Sequence, residues 1–177
     1  MGKLKDENPR GKFAVGNWLY TAAFDDILKV DNNGNPIKRH GNFGVYGFGE
    51  YKVYLENAED TQGLSIFGRF GYARPNINRF QHYLGFGLVY QGLIPHRNED
   101  QLGLAMAAAF NGRKYRKAQK SVGIDTDLAE INLELTYRMQ ITPWFSVQPN
   151  VQYTINPDTD PNLDNAFTLG SRFGFSF

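Results

Sequence analysis

Cysteine is absent from the chain, so neither a disulfide scaffold nor a thiolate metal site is open to it. Long apolar runs are absent too: nothing approaches the roughly 18 residues that a transmembrane helix needs. Histidine is scarce, and none of His40, His82 and His96 shares a strand face with a serine and an orienting acid. A Ser-His-Asp hydrolytic site therefore lacks its parts, and no catalytic residue is expected. Charge of one sign is also missing, because the net charge of +1 exerts no general pull on nucleic acid. Met1-Gly2 followed by the polar Lys3 to Arg10 does not read as an export leader, and a mature, recombinant or partial chain is expected. What is there amounts to 177 residues with 41% hydrophobic and 15% aromatic content, enough for one domain and too apolar for disorder. The expected division is a polar N-terminal segment over 1–11 and a single β domain over 12–177.

The hydrophobic residues are hidden in alternation. From Ile131 to Ile141 one face is Ile131, Leu133, Leu135, Tyr137, Met139 and Ile141, and the other is Asn132, Glu134, Thr136, Arg138 and Gln140. After a turn at Thr142-Pro143-Trp144, Phe145, Val147, Pro149, Val151, Tyr153 and Ile155 oppose Ser146, Gln148, Asn150, Gln152, Thr154 and Asn156. A last strand sets Phe167, Leu169, Phe173, Phe175 and Phe177 against Thr168, Gly170, Arg172, Gly174 and Ser176. Alternation alone also suits a soluble sandwich, so length decides. Strands of about 11 residues, tilted about 45°, cover a hydrocarbon band some 25 Å tall, whereas soluble strands are usually half as long. The apolar rows also end in aromatics (Trp144, Phe145, Phe167, Phe177), where a membrane barrel wears its interfacial belts.

Further strands are expected at 12–23, about 42–55, through Leu64 to Tyr72, about 80–92 and through Leu102 to Phe110, making eight in an antiparallel meander with no helical stretch. In the first, Phe13, Val15 and Leu19 share one face and Trp18 and Tyr20 the other, both apolar, which leaves the lipid side unassigned. The second turns Tyr46, Phe48, Glu50, Lys52 and Tyr54 inward, the third Phe67 and Arg69, the fourth Gln81 and Tyr83. Residues 24–41, with Asp31-Asn32-Asn33-Gly34-Asn35-Pro36, read as a long loop, 56–62 as a short polar turn, and 111–127 as a basic loop. Pro149 lacks a ladder donor and predicts a bulge. The fold class is an all-β transmembrane antiparallel meander barrel, placed in the bacterial outer membrane.

Whole phrases also carry a resemblance: Gly-Arg-Phe-Gly-Tyr-Ala at 68–73, the stretch from Gly87 to Ala105 with its Gly-Leu-Ile-Pro-His-Arg-Asn-Glu-Asp centre, Glu134 to Pro157, and Leu-Gly-Ser-Arg-Phe-Gly-Phe-Ser-Phe at 169–177. In these the chain resembles the carbohydrate-selective porins of the OprB type. The resemblance implies a sixteen-stranded outer-membrane barrel that passes sugars by diffusion, of which the eight strands here correspond to the C-terminal half. Eight strands closed alone surround packed side chains, and an aqueous channel needs about sixteen. A second half-barrel, further copies of the chain, or a sealed small barrel with a structural or lipid-modifying role are the alternatives. Outer-membrane lipid, lipopolysaccharide and carbohydrate solutes are the implied partners, with no nucleic acid, no cofactor and no metal.

A sugar-conducting wall needs neutral hydrogen-bonding groups, aromatic faces for pyranose rings, and balanced charges. Candidate lining residues are the amides Asn132, Gln148, Asn150 and Gln152, the rings Tyr46 and Tyr83, and the ions Glu50, Lys52, Arg69, Glu134, Arg138 and Arg172. The competing reading is that these charges satisfy one another inside a plugged barrel. Gly85, Gly87, Gly103, Ala105, Ala107 and Ala109 form a flat inner wall, which suits either an inward-folded segment or a wider lumen. Arg113, Lys114, Arg116, Lys117 and Lys120 suit lipopolysaccharide phosphates or plain solvent. Asp158, Asp160 and Asp164 lack a full calcium-loop spacing, and His96, Glu99 and Asp100 sit in a short polar turn.

Overall fold

Alternation at this length drives strand formation throughout. The computed structural model describes residues 10–56 and 62–177. Within them run β1 (Gly11–Val30), β2 (Pro36–Leu55), β3 (Gly63–Ala73), β4 (Phe80–Gln91), β5 (Gln101–Asn111), β6 (Ala129–Thr142), β7 (Phe145–Ile155) and β8 (Ala166–Phe175). They form one eight-stranded sheet in chain order, every neighbouring pair antiparallel.

Register joins the alternations into rungs that cross the whole sheet. One rung is Phe13, Gly49, Gly68, Phe86, Met106, Leu133, Tyr153 and Phe167; the next on the opposite face is Lys12, Glu50, Phe67, Gly87, Ala105, Glu134, Gln152 and Thr168. One face is thus apolar from edge to edge, and the other carries the ions and amides together with rings and small residues. No dry centre exists: Ala108 and Ala129 are the buried apolar side chains among the described residues, while Phe86 is 57% and Leu135 50% exposed. A soluble sandwich or a ligand-binding barrel would enclose those residues. Here Leu133, Leu135, Val147 and Val151 instead share the outer rows.

The sheet is open. Among the described residues β1 pairs with β2 alone and β8 with β7 alone, and β8 is exposed along its length.

Four expectations need correction. Residues 24–41 are not a loop: β1 and β2 run on as a hairpin around a tight turn at 31–35, where Asp31 Oδ1 accepts the N–H groups of Asn33 (2.8 Å) and Asn35 (2.9 Å). The turn formers were in place, but cross-strand pairs extend the ladder, with Lys38 on Asp25 at 2.7 Å and Arg39 Nε on Asp26 Oδ2 at 2.8 Å. The basic segment is not all loop, since Arg113–Ser121 forms a helix, α1. Tyr54 is not in the inner row, because an irregularity at Val53 places it opposite Leu64 on the outer face. Pro149 makes no bulge: it pairs regularly with Ser171, and on the β6 side Asn150 faces Thr136 and Val147 faces Met139 with no residue inserted. The missing donor only interrupts the ladder beside Tyr137 and Arg138.

The unassigned first strand is settled by register, which puts Phe13, Val15 and Leu19 in the outer rows and Trp18 and Tyr20 in the inner ones. Residues 1–9 of the polar N-terminal segment and 57–61 of the 56–62 turn lie outside the described residues.

The two ends of the sheet are locked differently. At one end Trp144, Phe145 and Phe175 stack, with Phe145 and Phe175 at 5.1 Å. Beside them Asp100, only 3% exposed, accepts from the Tyr137 hydroxyl (2.6 Å), the Gln140 N–H (2.9 Å) and Arg97 Nε (2.8 Å). At the other end, Gly41 takes a φ of +75° that other residues avoid, where the upper hairpin departs from the wall. Arg74 fixes that departure by donating to the carbonyls of His40 (2.8 Å) and Gly41.

Two outcomes follow. Leu135→Arg, on the exposed apolar row, is expected to lower stability in lipid vesicles by about 2–4 kcal/mol, measured by denaturant titration of the protein carrying this chain; a loss no larger than that of Ala107→Ser on the inner face would contradict the assigned faces. Burial pushes the Asp100 carboxyl up, but the hydrogen bonds from Tyr137 and Gln140 and the Arg97 guanidinium outweigh it and hold the group below its ordinary range. Its stabilisation is fully present above the unfolded carboxyl's pKa of about 3.9 and is lost as pH falls through the lower folded value. Asp100→Asn should flatten that part of the acid unfolding profile; an unchanged profile would contradict the role given to Asp100.

Candidate functional site

The inner face divides into two chemistries. On β6, β7 and β8 it is a net of amides, hydroxyls and ions. Asn132 Nδ2 donates to Thr154 Oγ1 (3.0 Å), Gln152 Nε2 to Glu134 Oε2 (3.0 Å), and Gln148 Nε2 to Thr136 Oγ1 (2.9 Å). Arg172 Nη2 approaches Glu134 Oε1 at 3.8 Å, and Arg138 Nη2 donates to Gln140 Oε1 at 2.6 Å. Directly paired inner positions on antiparallel strands lie about 5 Å apart, so register dictates the Asn132–Thr154 and Gln152–Glu134 contacts, while Gln148 reaches Thr136 diagonally and Arg172 reaches across β7 to Glu134.

On β1 to β4 the inner face carries rings: Trp18, Tyr20, Tyr46, Phe48, Phe67 and Tyr83. Three of them lie across a glycine on the neighbouring strand. A Cβ on Gly44 would sit 2.5 Å from the Trp18 ring, one on Gly16 2.4 Å from Tyr46, and one on Gly87 2.6 Å from Phe67. The glycines let the rings lie flat along the wall and keep their outer faces open.

Between the two chemistries lies a trough of about 380 Å³. Gly85, Gly103, Ala105 and Ala107 form its floor, and Phe67, Arg69, Tyr83, Asn132, Glu134, Gln148 and Arg172 stand around it. Rings thus face hydrogen-bonding ions across a floor without side chains to fill the space, an arrangement that suits a solute with one apolar face and several hydroxyls. Against Gly87 and Gly85 lie Phe67 and Tyr83; among the described residues no inward-folded segment covers that floor.

Of the residues singled out from the sequence, Arg69, Tyr83, Asn132, Glu134, Gln148 and Arg172 are thereby brought together. The others, Tyr46, Glu50, Lys52, Arg138, Asn150 and Gln152, occupy the same inner rows away from the trough. Glu50 pairs with Lys12 across the β1–β2 ladder at 3.0 Å. Asn150 is buried against Gly170, so it supports the wall more than it lines it. Trp18, Tyr20 and Lys12 were missed, because β1 is apolar on both faces and only pairing with β2 tells them apart.

Arg79 was also missed, for it lies in the β3–β4 connection, where no periodicity speaks for it. Its Nη1 donates to Asp158 Oδ1 (2.7 Å), its Nη2 to Thr159 Oγ1 (2.9 Å) and the Asp158 carbonyl, and its Nε to Asn111 Oδ1 (3.1 Å). Its guanidinium also lies 4.8 Å from the Phe80 ring and 5.0 Å from the Tyr115 ring of α1. One side chain therefore ties three connections together. The Asp158 carboxylate is engaged there and Asp160 accepts from Asn162, so the acidic loop is bound internally. Among the described residues no cluster of three or more metal-ligating side chains occurs.

With this geometry in hand, comparison with known proteins is specific. A family model described as "Carbohydrate-selective porin, OprB family" matches residues 3–177. Porin B of Pseudomonas aeruginosa is 29% identical over 190 residues, covering 96% of this chain and 42% of that protein. The high-pH structure of Pseudomonas putida OprB superposes with a TM-score of 0.85 at 27% identity, covering 94% of this chain and 44% of that one. The chain therefore spans less than half the length of these relatives.

Arg79→Ala is expected to release α1. The Tyr115 ring would lose the guanidinium over it, a contact contributing about 0.5–2 kcal/mol, and the neighbouring connections that support the helix would lose their shared donor. Trypsin, which cuts after Arg113, Lys114, Arg116, Lys117 and Lys120, should cleave the helix faster in the variant while the strands stay protected. Equal cleavage rates would show that Arg79 does not hold the helix.

Proposed function

Because the chain belongs to the OprB family of carbohydrate-selective porins, we propose that it is one half of an outer-membrane barrel of about sixteen strands that passes sugars and other small hydrophilic solutes by passive diffusion. The observation that carries this reading is the trough. Phe67 and Tyr83 offer ring faces to a pyranose, and Arg69, Asn132, Glu134, Gln148 and Arg172 offer donors and acceptors to its hydroxyls. The acids of the wall are locally neutralised, Glu134 by Arg172 and Glu50 by Lys12, so a neutral solute meets little fixed negative field. Tyr46, Lys52, Arg138 and Gln152 extend the polar lining above and below.

The unpaired edges of β1 and β8 argue against the sealed small barrel and for a complementary set of strands, supplied by another segment or a further copy. The outer rows then meet lipid, with lipopolysaccharide around the end that carries α1. Porin relatives are channels and not enzymes, and the histidines fit that role: His82 sits in the outer row opposite Phe110 and Tyr72. Residues 12–177 act as a single wall unit in this reading.

Liposome swelling tests it. Vesicles containing the whole protein should swell in isosmotic monosaccharide faster than protein-free vesicles, and more slowly as the solute grows to a disaccharide. Substituting alanine for both Arg69 and Tyr83 should change the ratio of the two rates. Vesicles as tight as the protein-free control would end the proposal.

A further inference from the structure

The sugar reading leaves one concentrated feature unused. Helix α1 carries Arg113, Lys114, Arg116, Lys117 and Lys120 within nine residues and no acid. Four of the five, Arg113, Arg116, Lys117 and Lys120, fall at i, i+3, i+4 and i+7, which is a single helical face. All four are exposed, and none takes part in an ion pair among the described residues. The opposite face is the anchored one: the Lys114 ammonium donates to Asn76 Oδ1, and Tyr115 lies under Arg79. Four like charges on successive turns repel one another, and Asp125 and Asp127 are the first acids that follow them in sequence.

Position decides what such a face meets. The chain leaves β5 through Gly112, whose Cβ position adjoins the inner-row Gln81 side chain. From there α1 packs directly against β1. Along the wall β1 lies four strand spacings from β5, roughly 19 Å at about 4.8 Å each. A nine-residue helix of about 14 Å meets β1 without following the wall because the upper β1–β2 hairpin curls toward it, with Ile27 N–H bonded to the Asn76 carbonyl at 2.8 Å. Leaving β5 beside the inner-row Gln81 and meeting the upper hairpin, the helix stands at the rim on the inner-row side, over the mouth of the lumen. Below it, Arg69 and Arg138 on the inner rows have no carboxylate partner among the ion pairs, whereas Glu50 and Glu134 are already matched.

From this placement we propose that the exposed face of α1 collects soluble anions at the pore mouth, so that the pore admits carboxylated sugars in preference to cationic sugars of the same size. The mechanism is focusing: charges of one sign at a low-dielectric mouth raise the local concentration of the opposite ion. This inference rests on the sugar-diffusion reading.

The test uses the whole protein in planar bilayers under a KCl gradient, with swelling in gluconate and in glucosamine as the solute arm. The reversal potential should lie toward that of chloride at low ionic strength. It should collapse toward neutrality at about 1 M salt, where the screening length is about 3 Å. Gluconate should outpace glucosamine. Replacing Arg113, Arg116, Lys117 and Lys120 together by glutamine, which keeps helix propensity, should lower the anion-to-cation ratio by at least about threefold. The salt dependence of the unmodified protein gives a second reading that needs no folded variant. Conductance without anion preference, or a preference that the glutamine variant leaves intact, overturns the inference alone. An unchanged ratio together with weaker binding of the variant to lipopolysaccharide vesicles also overturns it and assigns the face to lipid phosphates. A protein that conducts nothing removes the sugar reading and this inference together.

Discussion

Backbone amides and carbonyls in hydrocarbon must find partners inside the protein, since leaving one unpaired costs several kcal/mol. Every larger feature of this chain answers to that requirement. It fixes strand length at the span of the apolar band, keeps the order β1 to β8 a plain meander, and pairs every strand with its chain neighbours in one sheet. It also identifies what the eight strands need. β1 and β8 run antiparallel to each other across an even count, and each exposes a row of ladder groups. Closing the wall antiparallel at both seams takes an even number of added strands, in keeping with relatives more than twice as long.

With the backbone committed to the ladder, side chains are free to divide the work by parity. The outer rungs hold Phe86, Leu104, Leu133 and Leu135, exposed in a way no aqueous protein sustains over so wide a surface. The inner rungs solve a different problem, which is to leave room. Glycine opposite a large ring recurs at Gly16 with Tyr46, Gly44 with Trp18 and Gly87 with Phe67. Each pair trades the glycine's weak strand preference for a ring lying close to the wall, so that the inner face presents aromatic faces.

The wall was legible in the sequence because period-two alternation over ten or more residues has few other meanings. From Ile131 to Phe177 the two faces separate so cleanly that the rungs of β6, β7 and β8 follow from parity alone. The inner row of β4, with Tyr83, Gly85 and Gly87, was equally plain. Legibility failed where parity carries no contrast or where the partner is distant. β1 is apolar on both sides, so Trp18 and Tyr20 waited for β2 to assign them. The upper hairpin was hidden by the turn-forming run at Asp31 to Pro36, because what extends the strands is pairing of Asp25 and Asp26 with Lys38 and Arg39. Arg79 joins residues up to 80 positions apart, a contact no local pattern encodes. Pro149 misled for the opposite reason: a sound local rule met a strand whose β8 side keeps its register.

Charge is distributed along the axis in a way that separates two physical tasks. Along the inner face an unmatched ion would hold its own counterion beside it. There the acids are matched, Glu134 sharing its oxygens between Arg172 and the Gln152 amide, and neutral amides carry most of the remaining hydrogen-bonding capacity. At the mouth, water screens the field within about 10 Å, so like charges can crowd on α1 at small cost. That helix is held by Lys114, by Tyr115 with the Arg79 hub beneath it, and by packing on β1. Anchoring one helical face frees the other from structural duty, which is why the four remaining cations on α1 keep open water as their environment.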